Sequence, residues 1–430
     1  MIDNLSKRKN LLLTTEILSQ QNENKIPKEI QQERKNIEKQ VAEVKQKYRY
    51  SHPSLESLLW GLDSINNMSH SYQQGEVYYY KLNNRIPLTE IQDRLESRSI
   101  ISYNIMSDRL FIALINKDNT RLYEKSMNAQ ILNKIKELAT LQADSNVEID
   151  QYTILAEYCH QYLFPDEMTP HLNDQLIIIP DGILNYISFE ALVESDSPKE
   201  ENAYPSFLLY KYDISTLATE QLLSYNKDLT IDENSNIDVF SYSNTASIVN
   251  SHNTSLSELP WAKEESEFIA TTYKQSNLYT GEDATVSQFI ESLKQENDII
   301  HIATHGISSS SSRYDVKLYF RNSDFTIDSL YGYELLGIDI ATKLIILTSC
   351  QSGTGAQVQS EGVYDLKRYL TAQGADKVIV SLWDLDDQSS YDIMQSFYTH
   401  AALDLRLAKI QFIEDYPDKS LPFYWAGLSS

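Results

Sequence analysis

From residue 236 onward, short runs of consecutive apolar residues recur between segments with helical spacing. The runs fall at 237–241, 298–303, 316–320, 344–347 and 377–382, with a shorter one at 278–280. A strand that is apolar on both faces must be covered on both faces. Strands of this kind alternating with helices specify a mostly parallel sheet flanked by helices, in the α/β class. The intervening segments carry helix signals. Pro260 stands at the favoured first position of a helix near 261–273. Thr285 fits the N-cap of a helix whose stripe is Val286, Phe289, Ile290 and Leu293. Helices are also expected over 330–336, over 361–372 with a stop at Gly374, and over 387–400 with Ile393, Met394 and Phe397 on one face. No repeat of 20–50 residues is visible, so a solenoid is not expected.

Upstream, β character at 99–105, 110–116 and 120–123 is broken by turns at Ser107-Asp108 and Lys117-Asp118-Asn119. Helical patterns follow at 128–142 and 149–163, then an apolar strand at 176–179 ends in Pro180-Asp181-Gly182. A polar stretch at 226–236 reads as a linker. The first 53 residues are strongly charged, with a thin apolar stripe of Ile30, Ile37, Val41 and Val44 at helical spacing. A helix this hydrophilic is marginal alone and is expected to dock on a partner or an upstream domain, or else to be a solvated arm. The expected organisation is a helical arm over 1–53, an N-terminal lobe over 54–235 and a C-terminal lobe over 236–430.

Apolar residues make up 41% of the 430, somewhat low, in keeping with an element outside any core. Lys and Arg number 37 against 61 Asp and Glu, a net charge of −24. That field disfavours nucleic acid and anionic membrane as direct partners. No basic region leads into an apolar stretch at the start, and no run approaches the roughly 18 apolar residues of a membrane span. With only Cys159 and Cys350, a disulfide framework is not expected. A soluble, cytoplasmic protein is the expectation.

Ligands and catalytic groups of parallel sheets gather outside the carboxyl ends of the strands. Two strands end in what a thiol hydrolase needs. One runs Ile299-Ile300-His301-Ile302-Ala303-Thr304-His305-Gly306, and the other Leu344-Ile345-Ile346-Leu347-Thr348-Ser349-Cys350. A neutral thiol is a weak nucleophile, and a nearby imidazole lowers its pKa and shuttles its proton. His305 is therefore the candidate base and acid, and Cys350 the candidate nucleophile. The N–H groups of Gly306 and Cys350 are candidate oxyanion donors. Gly353 and Gly355 keep the loop after Cys350 pliable. Cys159 lies on a helical pattern and reads as a small buried hydrophobe. His160 beside it does not face it across a helix. His301 and His305 share the spacing of a zinc-binding helix, yet they fall on a strand and its end with no third ligand. No metal and no cofactor is expected. His301 reads as a core histidine or as a support for His305.

His305-Gly306 and Cys350 after their strands, Glu361-Gly362, Gly374-Ala375 and Ser381-Leu382-Trp383-Asp384-Leu385-Asp386-Asp387 together resemble the CHAT domain, a branch of the caspase-like clan that includes separase. Ile179-Pro180-Asp181-Gly182-Ile183-Leu184-Asn185-Tyr186-Ile187-Ser188-Phe189-Glu190-Ala191-Leu192 resembles the family's upstream signature, and Pro422-Phe423-Tyr424-Trp425-Ala426-Gly427 its closing one. The resemblance spans about 54–430. It implies a caspase-like α/β sandwich, a degenerate non-catalytic first lobe, and endopeptidase activity on a protein substrate through His305 and Cys350. Family members often carry tetratricopeptide repeats that sense a partner. None is visible here, and the arm at 25–49 is either a remnant of such a sensor or a docking segment for an activating protein. In separase-like relatives an acid after the Leu-Trp-Asp motif pairs with a basic side chain before the scissile bond. Asp387 matches that place, with Asp384 and Asp386 as alternatives; the competing reading is that Asp386 and Asp387 cap the following helix. The run 308–312 is read as an ordering loop or a solvated one. A different class of function also stands: an interaction scaffold that signals by binding, its dyad unused or locked.

Overall fold

Two sheets dominate the described residues, and most of their strands begin and end close to where apolar patterning places them. The computed structural model describes residues 87–195, 205–219, 234–242, 259–308, 316–321, 327–335, 338–348, 356–358, 362–400 and 403–430, with isolated positions between 29 and 58 and at 223, 248–249 and 255–256. By internal contacts Leu88–Ser430 forms one compact unit, and Leu12–Pro87 another. In the latter the described positions 29, 32, 33, 35–37, 39, 40, 44 and 58 are helical.

After helix α1 (Leu88–Leu95), the first sheet opens with a meander of β1 (Arg98–Met106), β2 (Arg109–Ile115) and β3 (Thr120–Ser126). Helices α2 (Ala129–Gln142) and α3 (Ile149–Leu163) follow, then β4 (Gln175–Ile179) and β5 (Asp213–Thr216). The order is β3-β2-β1-β4-β5, antiparallel through the meander and parallel from β1 onward. Asn128 caps α2, its side chain accepting from the Gln130 and Ile131 amides.

The second sheet is built from β6 (Asn236–Ser241), β7 (Gln275–Thr280), β8 (Ile299–Ala303), β12 (Leu344–Leu347), β13 (Lys377–Ser381) and β14 (Leu428–Ser429), in the order β14-β13-β12-β8-β6-β7. All pairings are parallel except β13 with β14. Helices α4 (Pro260–Thr272), α5 (Val286–Leu293), α6 (Leu366–Ala372), α7 (Asp387–Thr399), α8 (Leu405–Asp415) and α9 (Pro422–Trp425) accompany it. The five residues of β8 and the four of β12 are all buried, the mark of a sheet covered on both faces. A small antiparallel sheet of β9 (Gly306–Ser308), β10 (Val316–Arg321) and β11 (Ile327–Tyr331) grows directly from the end of β8. The fold class is thus mixed α/β with parallel-rich sheets flanked by helices.

Two helix expectations need correction. Residues 330–336 do not form a helix: β11 runs to Tyr331 and only a short 3-10 turn, Gly332–Leu335, follows. Leu330, fully buried, pairs across to Leu318, so tertiary pairing overrides local preference. The helix expected from 361 starts later, at Leu366, because Asp365 caps it by accepting from the Arg368 amide; Gly362–Tyr364 is a short strand instead. The run 316–320 is a strand, but of the small sheet rather than the parallel one.

One continuous cluster of buried side chains includes residues of both sheets, among them Ile101, Ile178, Val239 and Ile346, together with Trp425 of α9. At the seam the Phe207 and Trp425 rings meet edge-on at 4.9 Å. The Thr216 amide donates to the Ser430 carbonyl at 2.9 Å, tying the end of β5 to the end of β14. Lys409 of α8, 1% exposed, is paired with Glu190.

Candidate active site

The two chemistry-bearing strands lie side by side. β8 and β12 pair in parallel from Ile299 with Leu344 to Ile302 with Leu347, a constant offset of 45 residues. The sequence separation from His305 to Cys350 is the same 45. One ladder bond extends the pairing, as the Thr348 amide donates to the Ile302 carbonyl at 3.1 Å. Both strands therefore end at the same carboxyl edge. Cys350, Gly353, Gly355 and the run 309–312 lie outside the described residues.

His305 is 8% exposed, and its ring stands edge-on to Tyr242 with centroids 5.9 Å apart. The backbone around it is anchored on two sides. The Tyr319 amide donates to the His305 carbonyl at 2.9 Å, and the Thr304 hydroxyl donates to the Tyr319 carbonyl at 2.6 Å. The Tyr242 amide donates to the Ala303 carbonyl at 3.0 Å. Gly306, also buried, begins β9 opposite Leu318. His305 thus sits where the parallel sheet hands the chain to the small antiparallel sheet.

Beneath this edge lies a buried polar group that sequence reading did not assemble. His301, fully buried on β8, places Nε2 2.6 Å from Glu265 Oε1 of α4 and Nδ1 3.1 Å from the Tyr398 hydroxyl of α7. The Thr348 hydroxyl donates to the same Glu265 oxygen at 2.9 Å. With both ring nitrogens engaged by protein groups, His301 is a satisfied core histidine, and its spacing to His305 marks no zinc site. Glu265 gave no motif to find it by; the only hint was an acid on the buried face of a helix.

The three acids after Trp383 occupy different settings. Asp384 is exposed. Asp386 caps α7, accepting from the Ser389 amide at 3.0 Å, and Lys419 lies 3.3 Å away. Its hydrogen bonds and the Lys419 charge outweigh desolvation and hold its carboxyl below the usual range. Asp387 reaches out of the first turn of α7 and accepts from the Trp261 amide at 3.0 Å, at the start of α4. Desolvation pushes its carboxyl up to about 6; the Trp261 bond opposes the shift, and the nearby Glu265 and Asp386 charges add to it. Trp383 donates its indole N–H to the Phe423 carbonyl at 3.1 Å and crowds Gly427. The Leu-Trp-Asp and closing motifs therefore pack on one another.

Cys159 is 1% exposed within α3, and burial pushes its thiol up to about 12, an inert setting. Among the described residues no cluster of three or more His, Cys, Asp or Glu side chains is placed to hold a metal ion. No helix among them is long and apolar enough to cross a membrane.

The sequence model of the CHAT domain matches residues 152–430, well over half of the chain. The chain belongs to the CHAT domain family. Among solved structures, this CHAT protein is similar to the separase of Saccharomyces cerevisiae in its complex with securin, over 88% of this chain and 34% of that one, at 10% identity and a TM-score of 0.51. The chain therefore spans about a third of the separase chain. Similarity to the Arg-specific cysteine proteinase gingipain R covers 69% of this chain and 74% of that one, at 8% identity and a TM-score of 0.39. No curated protein matches. The likeness to separase shows a shared caspase-like fold; chemistry has to be argued from the residues of the CHAT domain itself.

Proposed function

We propose that this CHAT protein is a cysteine endopeptidase working through His305 and Cys350. The observation that carries the reading is the 45-residue offset between β8 and β12, equal to the separation of the two residues in sequence. In this reading His305 takes the Cys350 proton and the thiolate attacks the scissile carbonyl. The resulting oxyanion is met by the N–H groups of Gly306 and Cys350, donors commonly worth a few kcal/mol of barrier. The C–N bond breaks as His305 returns the proton to the leaving amine. Water, deprotonated by His305, then opens the thioester and regenerates the thiol.

Residues 236–430 are assigned as the catalytic lobe, 54–235 as a caspase-like lobe without a dyad, and 1–53 as the arm that meets an activating protein. Asp387 is assigned to the side chain before the scissile bond, with a preference for Arg or Lys. What supports this is a carboxylate on the first turn of α7, close to both α4 and Glu265. Binding a cation there displaces the Trp261 amide from Asp387 or shares the carboxylate with it.

A peptide library scanned at the position before the scissile bond, with and without lysate of the native host, tests the reading. Cleavage after Arg and Lys that disappears in Cys350→Ala, while that variant still captures protein partners, is the expected result. Partner capture with no cleavage by the wild type under either condition favours the scaffold instead. Equal cleavage after neutral residues removes Asp387 from the pocket.

A further inference from the structure

The Glu265 carboxylate joins β8 to the residue that follows β12. Its Oε1 receives Nε2 of His301, in the middle of β8, and the hydroxyl of Thr348, the first residue past β12 and two before Cys350. Glu265 is 2% exposed and His301 fully buried. Both His301 contacts pair a donor with an acceptor if His301 carries its proton on Nε2 and the Tyr398 hydroxyl donates to Nδ1. The Tyr273 hydroxyl in turn donates to the Tyr398 carbonyl at 3.2 Å, joining α4 back to α7.

We propose that Glu265 is a positioning residue: through Thr348 and His301 it fixes the spacing and register of the two strand ends that deliver Cys350 and His305. The inference rests on the Cys350–His305 reading above. A carboxylate is an expensive way to fill a core, since desolvating the charge offsets much of what its bonds return. Cohesion alone is met as well by an apolar side chain at the same depth. What an anion adds is direction. A single oxygen shared at 2.6 and 2.9 Å holds its two donors at a set separation. β12 has only four residues, so the Thr348 bond acts at the exit of a short strand. Small displacements of reacting groups are costly in rate, which gives such a tie leverage on turnover rather than on substrate affinity. α4 also offers its Trp261 amide to Asp387, so one helix touches the base strand, the nucleophile strand and the helix of the proposed specificity residue.

The sharpest variant is Thr348→Val, which removes one hydroxyl and leaves the buried Glu265–His301 pair in place. Thr348→Ser restores the donor. Turnover is measured per titrated active site with an Arg substrate, alongside the pH profile of Cys350 alkylation followed peptide by peptide. The expected result is a kcat at least tenfold lower in Thr348→Val with KM changed less than twofold. The alkylation midpoint moves to higher pH, and Thr348→Ser recovers both to within about threefold. Wild-type kcat per titrated site in Thr348→Val overturns the proposal, as does a loss explained entirely by fewer titratable sites. A wild-type Cys350 that alkylates with the ordinary thiol pKa of about 8.5 overturns the dyad reading itself, and the positioning role falls with it. That outcome is read from the wild type alone and is distinct from a variant that behaves like an intact dyad.

Discussion

Asp387 shows how one carboxylate is claimed by competing roles. It bonds the Trp261 amide and lies near the Glu265 and Asp386 charges, and burial pushes its carboxyl up from the usual 3.8 to about 6. Because its folded-state pKa is raised, the folded chain holds this proton more tightly than the unfolded one. Its ionisation therefore lowers stability as pH rises from about 4 to about 6, and that loss persists above 6. Asp387→Asn keeps an oxygen for Trp261 and removes the buried charge. Its thermal midpoint at pH 7.5 is expected to equal or exceed that of the wild type, with the difference vanishing near pH 4 in a pH series of melts. In the proposed pocket, substrate binding runs the other way. A basic side chain needs the ionised form, so KM for an Arg substrate is expected to fall as pH rises from 5 to 7, and Asp387→Asn to flatten that dependence. The competing helix-cap reading was half right at this scale. Asp386 is the cap of its own helix, whereas Asp387 reaches to a different one, a contact between residues 126 apart that no local pattern encodes.

Helices and strands were legible where local chemistry decides them. Thr285 caps α5, Gly374 ends α6 at φ +116°, and the apolar runs other than 316–320 became the parallel sheet. Elements missed or misjudged depend on distant partners: β5 and β14 are short edge strands, and β11 exists because β10 lies beside it. The strand ends proposed to carry the dyad were picked out by residue type, while the Glu265–His301–Thr348 group was not, because its members come from three separated parts of the chain. The motifs at 381–387 and 422–427 turn out to face each other. A Cβ built on Gly427 would stand 2.5 Å from a Leu385 methyl and 2.9 Å from Trp383 Nε1. Gly427→Ala therefore forces Trp383 off the Phe423 carbonyl, at an expected cost of about 1–3 kcal/mol from overpacking. Denaturant melts together with the tryptophan emission maximum check it; an unchanged midpoint and spectrum would show that the site relaxes freely.

At the scale of the molecule, the upstream and closing motifs are seam residues. Glu190 pairs with buried Lys409, Trp425 packs on Phe207, and Arg406 donates to the Leu209 and Tyr210 carbonyls. Lys409→Met strands the Glu190 carboxylate and is expected to cost about 3–5 kcal/mol, with most of the loss recovered when Glu190→Met is added. Urea melts of the single and double variants give the comparison. The family match starts at Tyr152, yet β4 pairs in parallel with β1 at 98–106. A fragment of 152–430 is accordingly expected to melt earlier and less cooperatively than one of 88–430. The central claim concerns the edge where β8 and β12 end, and its most direct test is labelling with a cysteine-directed acyloxymethyl ketone that carries Arg, in host lysate. Wild-type protein modified at Cys350, with no modification in Cys350→Ala or His305→Ala, is the predicted result. Undiminished labelling in His305→Ala, or modification at Cys159 in place of Cys350, would contradict the account.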